Sequence, residues 1–191
     1  MAKILGNFHL ALLIGVILLV AVMAGLHRDV MDGAYWTQFM RYLHVWAGIL
    51  WIGLLYYFNF VQIPTMPKVP AELKPAVSKH IAPAALFWFR WAALATVVLG
   101  LLLAEMSQGG YVAQALQLAP PYRTIGIGMW LGLIMAANVW FIIWPNQKRA
   151  LGIVAASDEA KAASLAMMAS RTNLILSLPM LYCMVGQTHI G

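Results

Sequence analysis

An all-α bundle of membrane-spanning helices is the fold this sequence predicts, and three observations carry the prediction. The 191 residues are 63% hydrophobic and only 9% charged, with a mean hydropathy of +0.80. A water-soluble domain carries about a quarter charged residues. The apolar residues form five runs, at 7–26, 38–61, 83–104, 123–144 and 171–189. Each approaches the ~20 residues that a spanning helix needs. The runs are continuous rather than alternating, which argues against a membrane β-barrel. So little sequence lies between them that a single transmembrane domain, residues 1–191, is expected.

The first run has the outline of a secretory signal, with Lys3 ahead of an apolar core and small residues after it. It is expected to be retained as a span. Orientation follows from the basic residues. Lys3, Lys68, Lys74, Lys79, Lys148, Arg149, Lys161 and Arg171 fall on one side, and Arg28, Arg41 and Arg123 on the other. This bias places the N-terminus in the cytoplasm and the C-terminus outside, in the multi-pass topology of a bacterial inner membrane protein. The net charge of +6 is spread among loops facing anionic lipid, so nucleic acid is not an expected partner.

The loops are short. The segment from Pro64 to Pro83, with Pro67, Pro70 and Pro75 inside it, predicts a stiff and partly extended connection. The segment from Pro145 to Ser170 predicts a short helix from its Ala, Lys and Glu content. Cys183 is the single cysteine, so no disulfide forms within one chain, and no C-x-x-C-H is present for a c-type haem.

Polar residues inside the spans carry the functional argument, because they are costly in lipid. His44 lies about a turn inside span two. Arg41, Ala47, Gly48 and Trp51 share its helical face by spacings of three, four and seven. Two readings stand. One is an interhelical hydrogen bond with small residues marking helix packing. The other is a haem b ligand, with Ala47 and Gly48 giving the macrocycle room. Arg41 and Arg123 would then pair with its propionates, and His189, at the end of span five, would be the second axial ligand. His27 is a substitute for His189. His9 and His80 fall towards the opposite side.

Asn59, Arg90, Asn138, Asn173 and Ser177 form a second polar group in the inner halves of their spans. They predict either an interhelical hydrogen-bond network, with Arg90 snorkelling, or a pocket for a small molecule or quinone. Pro179 frees the carbonyl of Ile175 in span five. Gly128, Gly132 and Ala136, four apart in span four, make a small-residue face for packing within the bundle or against another chain. Trp36, Trp88, Trp91 and Trp144 read as interfacial belt residues, and Trp51 and Trp140 lie deeper.

Four segments, in order, resemble the N-terminal membrane domain of the membrane-bound urate oxidase (urate hydroxylase) family. RYLHVWAGILWIGLLYYFNF resembles its histidine-bearing helix. LFWFRWAALATVVLGLLL resembles its Trp-Phe-Lys-Trp helix, with Arg90 in the lysine position. IMAANVWFIIWPNQK resembles its Ala-Asn-Val and Pro-Asn-Gln-Lys segment, and ASRTNLILSLPMLYCMVGQTH its last helix. The sequence departs from the family at Ala92, where an acidic residue is usual, and at Arg171-Thr172-Asn173, where a histidine precedes the asparagine pair. It also lacks the c-type motif of the family's cytochrome c domain. The resemblance implies the membrane fold and a haem site that includes His44 and His189.

Three functions follow. The first and preferred is an integral membrane b-type haem protein that transfers electrons, alone or as a subunit of a membrane redox complex. The second is a urate-oxidase-like oxidoreductase that hands electrons to a separate cytochrome c, with Arg90 and Asn138 recognising the anion. The third is a non-catalytic accessory subunit of a respiratory or photosynthetic complex, docked through the Gly128/Gly132 face. A histidine can also ligate chlorophyll magnesium.

Overall fold

The computed structural model describes residues 5–107, 109–155 and 157–190, with side chains through residue 187 in the last helix. No strand occurs among the described residues. Six helical elements follow one another: α1 (Phe8–His27), α2 (Gly33–Lys68), α3 (Lys74–Met106), α4 (Val112–Leu116), α5 (Arg123–Ala150) and α6 (Glu159–Ile190). Contacts divide the chain into two compact units, 1–39 and 40–191, with the boundary inside α2.

The first unit holds α1 and the opening of α2. Asn7 caps α1, its Oδ1 accepting from the Leu10 amide at 3.2 Å. Asp32 caps α2 in the same way, accepting from the Tyr35 amide at 2.9 Å. The apolar residues of α1 run all round the helix, the pattern of a membrane span. His27, at its end, lies against the Tyr35 ring at 5.7 Å.

The second unit is the bundle of α2 (from residue 40) to α6. Trp51, Leu55, Phe58, Phe89, Met135 and Val139 make its core. Lipid is as apolar as these side chains, so burial alone does not hold the helices together; close approach and polar pairing must do so. The small face of α5 supplies the close approach. A Cβ on Gly128 would stand 3.0 Å from the Cβ of Cys183 in α6, and one on Gly126 would run into the carbonyl of Ala115 in α4. The Gly128 and Gly132 face is therefore occupied by α6 and is not available to another chain.

Among the described residues, four helices are long and apolar enough to cross a membrane: α1, α2, α3 and α5. The expected fifth, within α6, is not among them. Arg171 and Asn173 weigh most against its hydropathy. Asn173 also belongs to a buried polar seam with Ser170 and Ser177, spaced three and four apart along one face, which faces protein.

Prolines shape the bundle differently from the expectation. Pro64, Pro67 and Pro75 each sit in the first turn of a helical segment, where a missing N–H costs nothing. The connection is therefore mostly helical turns rather than extended chain. Three widened π turns, Tyr57–Gln62, Val77–Ile81 and Val139–Ile143, come just before Pro64, Pro83 and Pro145. In each, the residue ahead of the proline closes an i→i−5 bond: Ile63 to Phe58, Ala82 to Val77 and Trp144 to Val139. A proline cannot bond to its i−4 carbonyl and its ring crowds it. One extra residue in the preceding turn relieves both problems and keeps the helix running. The short helix expected between Pro145 and Ser170 is the first part of α6 itself, whose opening Asp158 caps by accepting from Lys161 N at 2.8 Å.

Candidate functional site

Polar side chains gather at two ends of the 40–191 unit. At the first end, His44 of α2 meets α3. Its Nδ1 lies 2.9 Å from the carbonyl oxygen of Thr96. A carbonyl only accepts, so Nδ1 carries a proton, and Nε2 is the nitrogen that presents a lone pair when the ring is neutral. Gly100, one turn on, makes room for the ring: a Cβ there would come within 2.8 Å of His44 Cε1. Thr96 is buried and turns its hydroxyl back to the Ala92 carbonyl at 2.7 Å, so only its backbone serves the histidine. A Cβ on Gly48 would stand 3.8 Å from the Thr96 methyl, and Ala47 and Trp51 are buried. The small face around His44 therefore packs on α3.

Arg41 and Arg123 are both exposed. Arg41 acts on the Tyr111 phenol, whose ring stacks on Tyr122 at 4.7 Å and 9°. Burial pushes that phenol above the usual range, and the Arg41 guanidinium opposes the rise. Arg123 follows Tyr122 and donates from Nε to the Leu118 carbonyl at 3.2 Å. Gln187 of α6 ties the same end together. It accepts from Ile125 N at 2.9 Å, satisfying a first-turn amide of α5, and donates to the Pro121 carbonyl at 3.2 Å. His189 falls in the last turn of α6, with its side chain outside the described residues. No group of three or more His, Cys, Asp or Glu suited to a metal ion occurs among the described residues. A haem needs fewer, because the porphyrin fills four positions and protein supplies only the axial ones.

At the second end, α6 is the hub. Asn138 of α5 donates to Asn173 Oδ1 at 2.7 Å and to the Ala169 carbonyl at 2.9 Å. Asn173 donates onward to the Met135 carbonyl at 3.0 Å. Asn59 of α2 donates to Ser170 Oγ and to the Leu55 carbonyl, both at 2.9 Å. Ser177 gives its proton to the Leu174 carbonyl at 2.7 Å, so the Tyr56 hydroxyl, 3.2 Å away, is the donor to Ser177. Arg90 stands apart from these amides. Its guanidinium lies over the Trp144 ring at 3.9 Å and the Phe87 ring at 5.2 Å, a cation–π arrangement.

Asn138 and Asn173 are thus brought together, Asn59 joins them through α6, and Arg90 goes to the aromatic rings. Sequence reasoning missed Gly100, the Thr96 carbonyl and Gln187. Gly100 alone left a signal, as a glycine interrupting an apolar helix.

Residues 111–190 match the family model described as urate oxidase N-terminal. The match takes in α4, α5 and α6, including the two segments of the second half that resemble that family. No curated protein and no solved structure matches the chain.

Proposed function

We propose that this protein is a multi-pass membrane redox protein in which His44 holds a b-type haem through Nε2. One observation carries the reading: the Thr96 carbonyl accepts a hydrogen bond from Nδ1–H and leaves Nε2 as the nitrogen that can ligate. Iron-ligating histidines are prepared in this way, with a carbonyl or carboxylate fixing the tautomer and the ring plane. Arg41 and Arg123, at the same end, would hold the propionates, and His189 would close the second axial position. Haem in such a site supplies one-electron transfer. The protein's part is to fix the imidazole, pair the propionates and exclude water.

The same reading takes α6 as a fifth crossing. It packs along α5 and satisfies its polar seam inside the bundle, which removes the cost of placing Ser170, Asn173 and Ser177 in a membrane. The N-terminus would face the cytoplasm of a bacterium, and electrons would pass to a cytochrome c or a larger membrane complex. A second reading, favoured by the family match over 111–190, is oxidation of urate or a similar heterocycle, with a separate cytochrome c as acceptor.

Spectra of the purified protein, expressed with ample haem, test the first reading. Reduced b-type bands are expected, and His44→Ala should abolish them. A colourless wild-type preparation would overturn the assignment. Urate consumption by membranes carrying the protein, with cytochrome c added, tests the second; no turnover removes it.

A further inference from the structure

Two cations of the 40–191 unit converge on one indole. The Arg90 guanidinium of α3 lies 3.9 Å from the centre of the Trp144 ring of α5, and Lys148 Nζ lies 5.6 Å from the same centre. Neither side chain has a hydrogen bond or an acidic partner among the described residues. Lys148 follows Trp144 by one helical turn, whereas Arg90 reaches it from inside the apolar run 83–104. A charge in such a run is costly unless it finds the interface or a counter-ion. Contact with a ring leaves most of the five guanidinium N–H groups free to donate, in a geometry that suits a phosphate. Two like charges drawn to one ring also repel each other, and an anion reached by both removes that cost.

Aromatic rings continue from the cations along the cleft between α3 and α5. Phe87 lies 5.2 Å from the Arg90 guanidinium and 6.4 Å from the Trp91 ring. Trp91 meets Trp140 of α5 edge to face at 5.4 Å. Arg90 thus pairs with Trp144 and Trp91 with Trp140, so the two helices run in opposite directions here, and the second pair sits one turn deeper in the apolar runs. Phe87 and Trp91 are each 45% exposed. The cleft therefore carries charge at its outer end and open ring surface beside and below it.

A ligand that answers both parts is anionic and has apolar chains. A soluble phosphate would use the cations and leave the rings idle. A zwitterionic lipid would bring a cation of its own beside Arg90 and Lys148. We propose that Arg90 and Lys148 hold the phosphate of one anionic phospholipid, with an acyl chain lying along Phe87 and Trp91. The lipid would bridge α3 and α5 from outside the core, and it owes nothing to the haem.

The test is native mass spectrometry of the full chain in neutral detergent, titrated with dioleoyl phosphatidylglycerol or with dioleoyl phosphatidylcholine, which has the same chains and phosphate but no net charge. One phosphatidylglycerol is expected to bind saturably, about tenfold more tightly than phosphatidylcholine. Arg90→Gln should weaken it about tenfold, the loss of one charge-assisted contact. Lys148→Gln should weaken it about fivefold, the share of one interfacial charge. Arg28→Gln removes the same charge from the end of α1 and should change nothing. Equal binding of the two lipids, a folded Arg90→Gln that binds unchanged, or an equal loss in Arg28→Gln would each overturn the inference. So would displacement of phosphatidylglycerol by sn-glycerol 3-phosphate, which would assign the cations to a soluble phosphate, or by urate, which would assign them to a substrate anion. If Arg90→Gln does not fold, the lipid comparison on wild type and the contrast of Lys148→Gln with Arg28→Gln decide. A colourless protein that selects phosphatidylglycerol fails the haem reading and leaves this one intact.

Discussion

The two polar ends of the bundle solve one problem in opposite ways. At the amide end, side chains answer side chains: Asn138 with Asn173, Asn59 with Ser170, and Tyr56 with Ser177. Three helices are tied by groups that have few other uses, as membrane bundles require when lipid offers no hydrophobic drive. At the His44 end, one side chain is answered by a backbone carbonyl and by the absence of a side chain at Gly100. A seam distributes its cost over many partners. A single prepared imidazole concentrates it and leaves one nitrogen over. Under the proposed haem reading, that difference separates a place for cohesion from a place for a ligand.

The sharpest break in the comparison is at Gly100. Gly100→Leu puts a Cβ within 2.8 Å of the His44 ring, with more bulk behind it. Overpacking costs about 1–3 kcal/mol, and here the ring itself is what must move. Complete loss of the reduced haem bands is expected, with the melting temperature in detergent falling only modestly. Retention of full bands would show that the imidazole is not held by this contact.

At the amide end the largest effect is expected from Asn173→Leu. It removes one acceptor of Asn138, which keeps the Ala169 carbonyl, and one donor to the Met135 carbonyl, which keeps the Val139 amide, so one Asn138 N–H is left buried without a partner. The expected loss is about 1–3 kcal/mol of stability by denaturant titration, with the haem bands unchanged. The double variant Asn138→Leu/Asn173→Leu should recover part of that loss, since an orphaned partner costs more than an absent pair. A double variant as unstable as the sum of the singles would mean that the two amides do not act together.

The contrast also explains what was legible in the sequence. His44, Asn138 and Asn173 were visible as polar residues in apolar runs, because membrane burial makes each one conspicuous. Their partners were not. The Thr96 carbonyl belongs to a backbone and carries no letter of its own, and Gly100 reads as an ordinary weak point in a helix. Arg90 was grouped with the amides by depth alone, and depth does not give the face. The face points to Trp144. The fifth run reads as a span from its apolar residues, but Arg171 and Asn173 keep it from the hydropathy of the other four.

A smaller effect is expected at the face joining α5 to α6. Gly128→Ala puts a methyl 3.0 Å from the Cys183 Cβ, which must shift by a few tenths of an ångström. About 1 kcal/mol of destabilisation is expected, at the lower end of overpacking costs. Both ends of the bundle lean on α6, so the amide seam and the Gln187 cap should loosen together, read as faster amide hydrogen exchange at Ile125 and near Asn173. Loosening at one end alone would mean that α6 does not act as a single rigid strut.

The smallest effect should come from Thr96→Ala, and it is the finest test of the His44 end. The variant keeps the carbonyl that accepts from Nδ1 and loses only the hydroxyl bond to the Ala92 carbonyl. Side-chain hydrogen bonds between membrane groups are worth about 0.6 kcal/mol on average, so a stability change of that order is the most expected. Haem bands should survive at full intensity with unchanged positions. Their loss would mean that the threonine side chain, and not the backbone, prepares the histidine. The carbonyl-fixed tautomer, on which the bare nitrogen depends, would then give way to a hydroxyl-gated site.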